Sequence, residues 1–335
     1  MKWVVASPYF ENVDDRWITD SVYSDRHSFA LIPRSGHDRN WHQTRTPRAG
    51  FKEWGHRVRQ ARWATMAPSD GIITVFPQLA AATGSLLAAG RTDRALVSWF
   101  FNTEGLSSPV RRSMARCALR QVDRFVVHST REIESYADLL GLPSERFVYV
   151  PLQFGAVVET EKPDGQDEPY VFATGSGYRD YGTFFDAVGS LGYRTLVLAS
   201  DRVLDGLTIP DNVEILEQIT RPEIRRLVRH ARVNVVPLND GGTTAGLVTI
   251  VETFRHGRAV VITDRPGLED YVFDGKNSLC PGLYDSRSMA DAIETMWTDD
   301  GYRAELDAAA LRFAEDNCTD EVAGRSLLRI LDSLA

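Results

Sequence analysis

The sequence predicts an α/β protein that consists of two Rossmann-like parallel-sheet domains. Short β-branched runs alternate with helical stretches along the chain, a pattern typical of parallel sheets. The chain has 335 residues, which is enough for two domains of about 150 residues each. Residues 151–169 are rich in Glu, Asp, Lys, Gly and Pro, and they separate two sets of candidate strands. This composition predicts an interdomain linker.

The candidate strands fall into two groups, one on each side of the linker. The first group covers 3–6, 29–32, 72–76, 96–100, 124–127 and 147–150. The second group covers 170–174, 195–199, 213–216, 233–236 and 259–263. Two segments with amphipathic helical spacing, 301–317 and 320–334, end the chain. We therefore assign residues 1–155 to a first domain, 156–318 to a second and 319–335 to a C-terminal helix.

The composition argues against several classes of protein. A formal net charge of -8 disfavours a general nucleic-acid binder, which would carry a surplus of basic residues. The three cysteines lack the spacing of metal ligands, and their odd number, with no leader-like N-terminus, predicts a cytoplasmic protein without a metal site. Residues 71–90 carry no charge and have the length of a minimal membrane span, but Pro77 and Gln78 divide them into a strand and a buried helix.

Residues 239–282 carry the most informative motif. Gly241 and Gly242 allow a sharp turn after an apolar strand, and Thr243 and Thr244 are predicted to cap the helix that follows. Backbone amides at such a helix start bind anions. The amides predicted to bind a diphosphate are those of Thr244, Ala245, Gly246 and Leu247.

An acidic residue follows in the same helix. Glu252 lies about two turns from the helix start, at about 1.5 Å of rise per residue. Its carboxylate can accept hydrogen bonds from both hydroxyl groups of a ribose. Residues 264–267 form a polar turn at the carboxyl end of the next strand, where open α/β sheets bind ligands. These features fit a nucleoside diphosphate group.

A second glycine motif supports a different hypothesis. Gly175, Ser176 and Gly177 follow a strand, and Asp201 ends the next strand 24 residues after Gly177. This spacing is close to the fingerprint of NAD-dependent oxidoreductases, although Gly182 lies too far along to be its third glycine. A tight turn that only serves packing is the simpler interpretation of the same glycines.

The second half of the chain resembles glycosyltransferase family 4. The resemblance rests on residues 246–263, on Pro266, Gly267, Leu268, Asp270, Tyr271, Asp274 and Gly275, and upstream on 174–181 and 210–214. It implies a GT-B fold, in which two Rossmann-like domains face a cleft and the final helix crosses back to the first domain. It also implies a retaining, metal-independent group 1 glycosyltransferase. Relatives contact the donor diphosphate through the residue matching Arg179 and the ribose through the one matching Glu252. By this resemblance Gly175, Ser176 and Gly177, in the same loop as Arg179, are also predicted to bind the donor.

The sequence departs from that family at two positions. Relatives carry a first Glu eight positions before the ribose-binding one, where this chain has Thr244. The pair of basic residues common in the diphosphate loop is reduced to Arg179, since Gly182 and Thr183 supply no second cation. The donor sugar therefore cannot be assigned by analogy.

The first domain offers candidates for acceptor binding and catalysis. Asn102 and Glu104 follow a strand at the place where relatives present a His near the reacting sugar, and Glu104 can alternatively cap a helix. His128 ends another strand, although a lone His beside an apolar strand is more often a hydrogen-bonded part of the structure. The catalytic candidates are thus Asn102, Glu104 and His128 together with Arg179.

Residues 34–62 form a basic aromatic region. They contain eight Arg or Lys residues against Asp38 and Glu53, with Trp41, Phe51 and Trp54 interleaved. Such a region is compatible with an anionic, lipid-linked acceptor or with contact with acidic lipid headgroups at the inner membrane face. A solvated surface is the alternative, because charge runs usually face water.

The sequence thus predicts a hexosyltransferase that uses a UDP- or GDP-linked sugar as co-substrate and no cofactor. The predicted acceptor is a saccharide, a lipid-linked molecule or a small molecule. Two alternatives stay open at this point: a nucleotide-sugar-binding protein without activity or a sugar-nucleotide epimerase, and an NAD-dependent oxidoreductase.

Overall fold

The computed structural model describes residues 1–8, 18, 22–36, 51–103, 106, 108–157, 168–242 and 244–335. These residues form two compact units. The first contains Met1–Pro151 together with Asp320–Ala335, and the second contains Leu152–Thr319. Each unit has its own six-stranded parallel sheet.

The sheet of the first unit has the order β2-β1-β3-β4-β5-β6. Its strands are β1 Lys2–Ala6, β2 Ser28–Ile32, β3 Gly71–Val75, β4 Ala95–Trp99, β5 Arg124–Val127 and β6 Phe147–Tyr149. Among the helices of this unit that the described residues define are α1 Phe51–Met66, α2 Pro77–Gly90, α3 Pro109–Leu119, α4 Arg131–Leu140 and, from the end of the chain, α11 Asp320–Asp332. Both faces of the sheet are covered, which explains why its strands are apolar runs without polar alternation.

The two faces of this sheet bury different helices, because successive strand residues point to opposite sides. Val4 and Ile72 point to the face that carries α1 to α4. Val5 and Ile73 point to the other face, where they pack with Leu327 and Leu331 of α11.

A buried histidine fastens α11 to the first unit. Trp3 Nε1–H donates to Nδ1 of His27 at 3.1 Å. An indole N–H is only a donor, so the His27 proton lies on Nε2, from which it is donated to Asp332 Oδ1 at 3.0 Å. Arg26 Nη1 lies 2.8 Å from the same carboxylate oxygen. The last helix is therefore held both by its apolar face and by a polar network.

The sheet of the second unit has the order β12-β11-β10-β7-β8-β9. Its strands are β7 Val171–Thr174, β8 Thr195–Leu198, β9 Val213–Ile215, β10 Val233–Val236, β11 Val260–Ile262 and β12 Ser278–Leu279. Its helices are α5 Tyr181–Leu191, α6 Asp201–Leu204, α7 Arg221–His230, α8 Leu247–Arg255, α9 Ser286–Thr298 and α10 Asp300–Asn317. On one face, Phe172 and Leu196 pack with Leu227 of α7. Strand β7 lies at the centre and reverses the strand order, as in a Rossmann sheet.

The α/β class predicted from the sequence is confirmed, and so are the eleven predicted strands and both C-terminal helices. The twelfth strand, β12, has only two residues, too few for a periodic pattern to indicate it. Residues 71–90 form β3 and α2, as expected. Among the described residues, no helix is both long and apolar enough to span a membrane.

Candidate functional site

The candidate site of the second unit lies where the strand order reverses. Strands β7 and β10 are neighbours, and the chain leaves them in opposite directions across the sheet. Ligands of open α/β sheets bind outside the carboxyl ends of strands at such a point. The two loops there are bonded to each other: Asn239 N–H donates to Tyr178 O, and Asp180 N–H donates to Pro237 O, both at 3.0 Å. The site is therefore built on two joined loops.

Arg179 lies at the centre of these loops, in the position predicted for a diphosphate contact. Its Nε donates to Thr174 O at 3.2 Å, its Nη1 to Gly177 O at 2.9 Å and its Nη2 to Thr249 Oγ1 at 3.1 Å. A guanidinium has five N–H donors, and two of those of Arg179 have no partner among the described residues. Arg179 thereby links the end of β7 to the first turn of α8.

The electrostatic setting of Arg179 favours an anion. Burial lowers the pKa of its guanidinium, Tyr181 opposes this shift, and nearby Arg265 lowers the pKa further. An arginine nevertheless keeps its proton in a protein. A buried cation beside a second cation is stabilised when a negatively charged ligand binds.

Helix α8 begins later than the sequence predicted, and no described side chain caps it. The residue before Leu247 is Gly246, whose φ of 90° places it in the left-handed region. A Cβ there would lie 3.2 Å from Val236 Cγ1, so the helix start is pressed against β10. Thr244 is part of the preceding turn, and the expectation that it caps the helix is wrong. The Leu247 amide lies 3.5 Å from Thr244 O. The next amides of the first turn have no partner within the helix, which makes them the candidates for binding an anion.

The start of α5, the helix that follows β7, differs from the start of α8 because a side chain caps it. Asp180 Oδ1 accepts a hydrogen bond from Thr183 N at 3.1 Å, and its Oδ2 accepts one from the Thr183 hydroxyl at 2.5 Å. Dinucleotide enzymes place a pyrophosphate at the helix after the first strand of the sheet. Here a carboxylate already occupies that place, which disfavours the NAD-dependent alternative.

The other predicted residues of the β7 loop have structural roles. Gly175 has a φ of 108°, and a Cβ there would lie 2.5 Å from Arg179 Nη2, so only glycine fits. The Ser176 hydroxyl accepts a hydrogen bond from Ser200 N at 2.9 Å and ties the loop to the end of β8. Gly177 is exposed. These residues hold Arg179 in place.

Glu252 lies about one and a half turns into α8 and is paired with a residue of α7. Its Oε1 is 3.5 Å from Nε of Arg225, and its side chain is 19% exposed. The guanidinium of Arg225 in turn stacks on the ring of Phe154 at 5.2 Å from the ring centroid. One carboxylate oxygen thus faces a fixed cation.

Sequence reasoning missed a second cation in the loops. Arg265 follows β11 and is only 8% exposed. Its Nη1 donates to Asn239 O at 2.9 Å and to Gly241 O at 2.6 Å, so it holds the glycine loop by two carbonyl groups. Burial lowers the pKa of Arg265, while Asp240, Tyr178 and Tyr284 oppose that shift. The feature of the sequence that could have identified Arg265 is its position directly after the carboxyl end of a predicted strand.

Two tyrosines complete the glycine loop. The ring of Tyr178 lies against Gly241 and Gly242, where added Cβ atoms would come within 2.6 Å and 2.7 Å of ring carbons. Tyr284 accepts a hydrogen bond from Asp240 N at 3.3 Å through its hydroxyl oxygen. The glycines therefore serve a close approach of an aromatic ring, as well as the sharp turn that the sequence indicated.

The first unit brings a second group of polar residues together at the carboxyl ends of β4 and β5. Glu132 is buried; its Oε2 accepts hydrogen bonds from the amides of His128 at 3.1 Å and Ser129 at 3.2 Å. The Tyr136 hydroxyl lies 2.8 Å from Glu132 Oε1 and 3.4 Å from Asn102 Oδ1. Two catalytic candidates, Asn102 and His128, thus border one buried carboxylate.

Aromatic residues in strained conformations lie beside this cluster. Phe76 and Phe100 follow β3 and β4, and both have left-handed backbones, with φ of 73° and 60°. Such a conformation costs a bulky residue about 1 to 3 kcal/mol. The ring of Phe100 lies 5.3 Å from that of Phe76 and 4.5 Å from that of His128. Strain of this kind is typical of functional sites.

His128 is held as a neutral imidazole. Its Nδ1 lies 2.8 Å from the Val150 carbonyl oxygen, an acceptor, so the proton is on Nδ1. Burial lowers the pKa of His128 to about 4, although the bond to Val150 opposes the shift. At neutral pH the Nε2 atom therefore carries a lone pair.

This pKa predicts an acid-dependent loss of stability. An unfolded histidine binds a proton near pH 6.5, whereas folded His128 does so only near pH 4. The unfolded chain therefore binds more protons in this window, and the free energy of unfolding falls as the pH falls, by about 3 kcal/mol in total. Urea unfolding at a series of pH values should show this slope, and His128→Gln should reduce it. An unchanged slope in the variant would contradict the assignment.

Several predicted residues lie outside the described part of the chain. These are Glu104, Thr243 and positions 37–50 of the basic aromatic region. Within the described residues, no group of three or more His, Cys, Asp or Glu side chains is arranged to hold a metal ion.

Part of the second unit matches a known family. Residues 185–299 match the family model described as Glycosyl transferases group 1. This range includes Glu252 and Arg265 and begins just after Arg179. No curated protein sequence matches the chain significantly. The predicted resemblance is thus supported at the level of a group 1 glycosyltransferase domain.

Solved structures resemble the whole chain. Sucrose-phosphate synthase from Thermosynechococcus elongatus superimposes with a TM-score of 0.74 at 15% identity, covering 100% of this chain and 99% of that chain. Anabaena Alr3699/HepE in complex with UDP-glucose has a TM-score of 0.70 at 14% identity, covering 99% and 100%. The E. coli structure described as trehalose-6-phosphate bound with UDP-2-fluoro glucose has a TM-score of 0.71 at 13% identity, covering 99% of each. The predicted GT-B fold is confirmed.

Proposed function

We propose that the protein is a retaining, metal-independent glycosyltransferase that moves a hexose from a nucleotide sugar to an acceptor hydroxyl group. The observation that carries this proposal is the position of Arg179. Two of its N–H groups have no partner within the described part of the chain, and it is bonded to the first turn of α8, whose amides no described side chain caps. A diphosphate is the ligand that matches a guanidinium beside a helix start.

The transfer needs a stabilised leaving group. As the bond between the sugar C1 and the phosphate oxygen breaks, negative charge develops on the β-phosphate. Arg179 and the α8 amides are placed to stabilise that charge without rearrangement. In a retaining reaction the acceptor oxygen bonds to C1 on the face that the diphosphate leaves. The acceptor proton then passes to a phosphate oxygen on that face.

The nucleotide end is assigned to Glu252. Its carboxylate is fixed by Arg225 and suits the two hydroxyl groups of a ribose. Among nucleotides we favour a UDP-linked donor over a GDP-linked one, because HepE and the E. coli protein were solved with UDP-glucose and UDP-2-fluoro glucose. We assign donor binding to the second unit on these grounds.

Acceptor binding is assigned to the first unit. His128 and Asn102 border a buried carboxylate at the carboxyl ends of its strands, beside the strained aromatic rings of Phe76 and Phe100. A neutral histidine accepts a hydrogen bond from a hydroxyl group, and aromatic rings pack against sugar faces. We propose a saccharide or a lipid-linked sugar as the acceptor. A nucleotide-sugar-binding protein without activity remains the alternative, because Thr244 replaces an acidic residue of the relatives.

The test is calorimetric and thermal-shift titration with UDP, GDP, ADP, TDP and NAD. A ligand that binds the folded state raises its stability, by about 2.7 kcal/mol at a hundredfold excess over Kd. We expect UDP to bind selectively and Glu252→Ala to weaken it about 10- to 150-fold, the value of a hydrogen bond to a charged group.

The matched control is Glu305→Ala, an exposed acidic residue of α10, which should bind UDP like the wild type. Glu252→Gln keeps the shape of the side chain and separates loss of charge from loss of packing. Binding of NAD alone, or of no nucleotide at millimolar concentration, would refute the proposed function. Binding of UDP without turnover of any UDP-sugar would favour the inactive binding protein.

A further inference from the structure

Three neighbouring helices of the first unit form an unusually basic and apolar surface. Helix α1 packs on α2, α2 packs on α3, and all three cover one face of the sheet. The helix-layer surface, as we name it, consists of their outward side chains. It extends the basic aromatic region of the sequence to α3, which lies about fifty positions further along the chain.

The charge of this surface opposes that of the whole protein. The three helices contain the arginines Arg57, Arg59, Arg62, Arg111, Arg112 and Arg116, and a single acidic residue, Glu53. Glu53 pairs with Arg57 within α1. The chain as a whole has a net charge of -8. These three helices therefore carry a surplus of cations in a protein whose net charge is negative.

Three of these arginines are exposed and lie close to large apolar side chains. Arg59, Arg62 and Arg111 have no hydrogen-bond or ion-pair partner among the described residues. No described side chain therefore neutralises their charge, and their exposed guanidinium groups can contact an external anion.

Large apolar side chains are exposed between the arginines. In α1, Trp54, Val58 and Met66 share an outward stripe with Arg62 at four-residue spacing, and Trp63 flanks it. In α3, Val110 and Met114 are exposed next to Arg111. Met66, Val110 and Met114 have exposed fractions of 71%, 68% and 67%. Single exposed apolar residues are normal, but six of them on two helices of one layer are not.

Helix α2 lies between these two helices and adds no charge. Its outward residues Ser85, Ala88 and Ala89 are small. Helix α4 bounds the surface on the far side of α3 with the exposed acids Glu134 and Asp138. The surface thus has small side chains along α2 in its middle, with cations and exposed apolar side chains on α1 and α3 at either side.

We propose that the helix-layer surface docks on an anionic lipid surface. Tryptophan and arginine side chains match the interface between headgroups and acyl chains, where the ring or stem is apolar and the polar end faces water. Each basic residue near an anionic membrane gains electrostatic attraction. Nucleic acid also attracts arginine, but it offers no apolar layer for Val58, Met66, Val110 and Met114. A lipid surface can bind both the arginines and the exposed apolar side chains, and it is therefore the better match.

The test is co-sedimentation with two kinds of vesicles, phosphatidylcholine alone and phosphatidylcholine mixed with phosphatidylglycerol. We expect the full-length protein to bind only the anionic vesicles, and to bind less at high salt because exposed charges are screened. The double variant Arg59→Gln, Arg62→Gln should bind about 30-fold more weakly, at about a fivefold loss per basic residue. The matched control is Arg312→Gln with Arg325→Gln, exposed arginines on α10 and on the opposite face of the first unit.

A second pair of variants tests the apolar part and the extension to α3. Met66→Gln with Met114→Gln should weaken binding about a hundredfold, because each methionine that no longer enters the apolar layer costs about a factor of ten. Ile209→Gln, an exposed apolar residue of the second unit, is the control. Both methionines are exposed, so melting temperatures should not change.

Three results would overturn the proposal. Equal binding to both kinds of vesicles would show that the arginines do not bind anionic lipid headgroups. Arginine and methionine variants that bind vesicles like their controls would show that the helix-layer surface does not contact the lipid. Duplex or single-stranded nucleic acid that binds more tightly than anionic vesicles, and that is lost in the arginine variant, would identify a nucleic-acid surface.

Discussion

Replacing Arg179 with alanine is expected to reduce the rate of donor cleavage about 100- to 1,000-fold, the effect of removing one preorganised donor from a developing anion. Its guanidinium is fixed by bonds to Thr174 O, Gly177 O and Thr249 Oγ1. The guanidinium therefore needs no rearrangement when negative charge develops on the phosphate. Release of UDP from UDP-glucose, with and without acceptor, and the calorimetric Kd of UDP measure the effect.

Two further variants show whether position or charge alone matters. Thr249→Val removes the hydroxyl group that holds Arg179 Nη2 and keeps the side-chain shape. We expect a smaller loss, about tenfold, since a hydrogen bond to a charged group contributes about 1.5 kcal/mol at the lower end of its range. Arg312→Ala, an exposed arginine of α10, is the control. If Arg179→Ala cleaves and binds the donor like this control, the diphosphate site lies elsewhere.

Replacing Arg265 with glutamine is expected to lower the free energy of unfolding by about 2 to 4 kcal/mol. Arg265 is buried and donates to the carbonyl oxygens of Asn239 and Gly241. A fully buried carbonyl group that loses its donor costs about 1 to 3 kcal/mol, and these two carbonyl groups are half-buried. Urea unfolding measures this loss. Because the glycine loop leads into α8, the Kd of UDP should rise as well.

The control for Arg265 is Arg287→Gln, an exposed arginine of α9. Arg265→Lys keeps the charge but has no planar fork to reach two carbonyl groups. It should therefore recover less than half of the stability that glutamine loses. A lysine variant as stable as the wild type would show that charge, and not the two hydrogen bonds, holds the loop.

The sequence indicated the donor motif through local patterns. Gly241 and Gly242 mark a turn after an apolar strand, and Glu252 follows at a fixed helical distance. Such features depend on neighbours along the chain and can be recognised without a structure. The start of α8 was misplaced because Gly246 takes a left-handed conformation against β10, and that contact is not local.

The choice between the two glycine motifs also required the structure. Both motifs follow strands, and each precedes a helix. Asp180 caps the helix after β7, whereas no described side chain caps α8. The sequence shows that Asp180 lies near a helix start. It does not show that the Asp180 carboxylate occupies the position where a pyrophosphate would bind.

The sequence by itself determined the α/β class and eleven of the twelve strands that the described residues form, because strand periodicity and turn residues act over a few positions. The tertiary structure alone decided that Arg265 holds the glycine loop, that Arg225 fixes Glu252 and that α3 joins α1 in one basic surface. These residues are far apart in the chain. They meet only because the parallel sheets bring their strand ends and helix layers together.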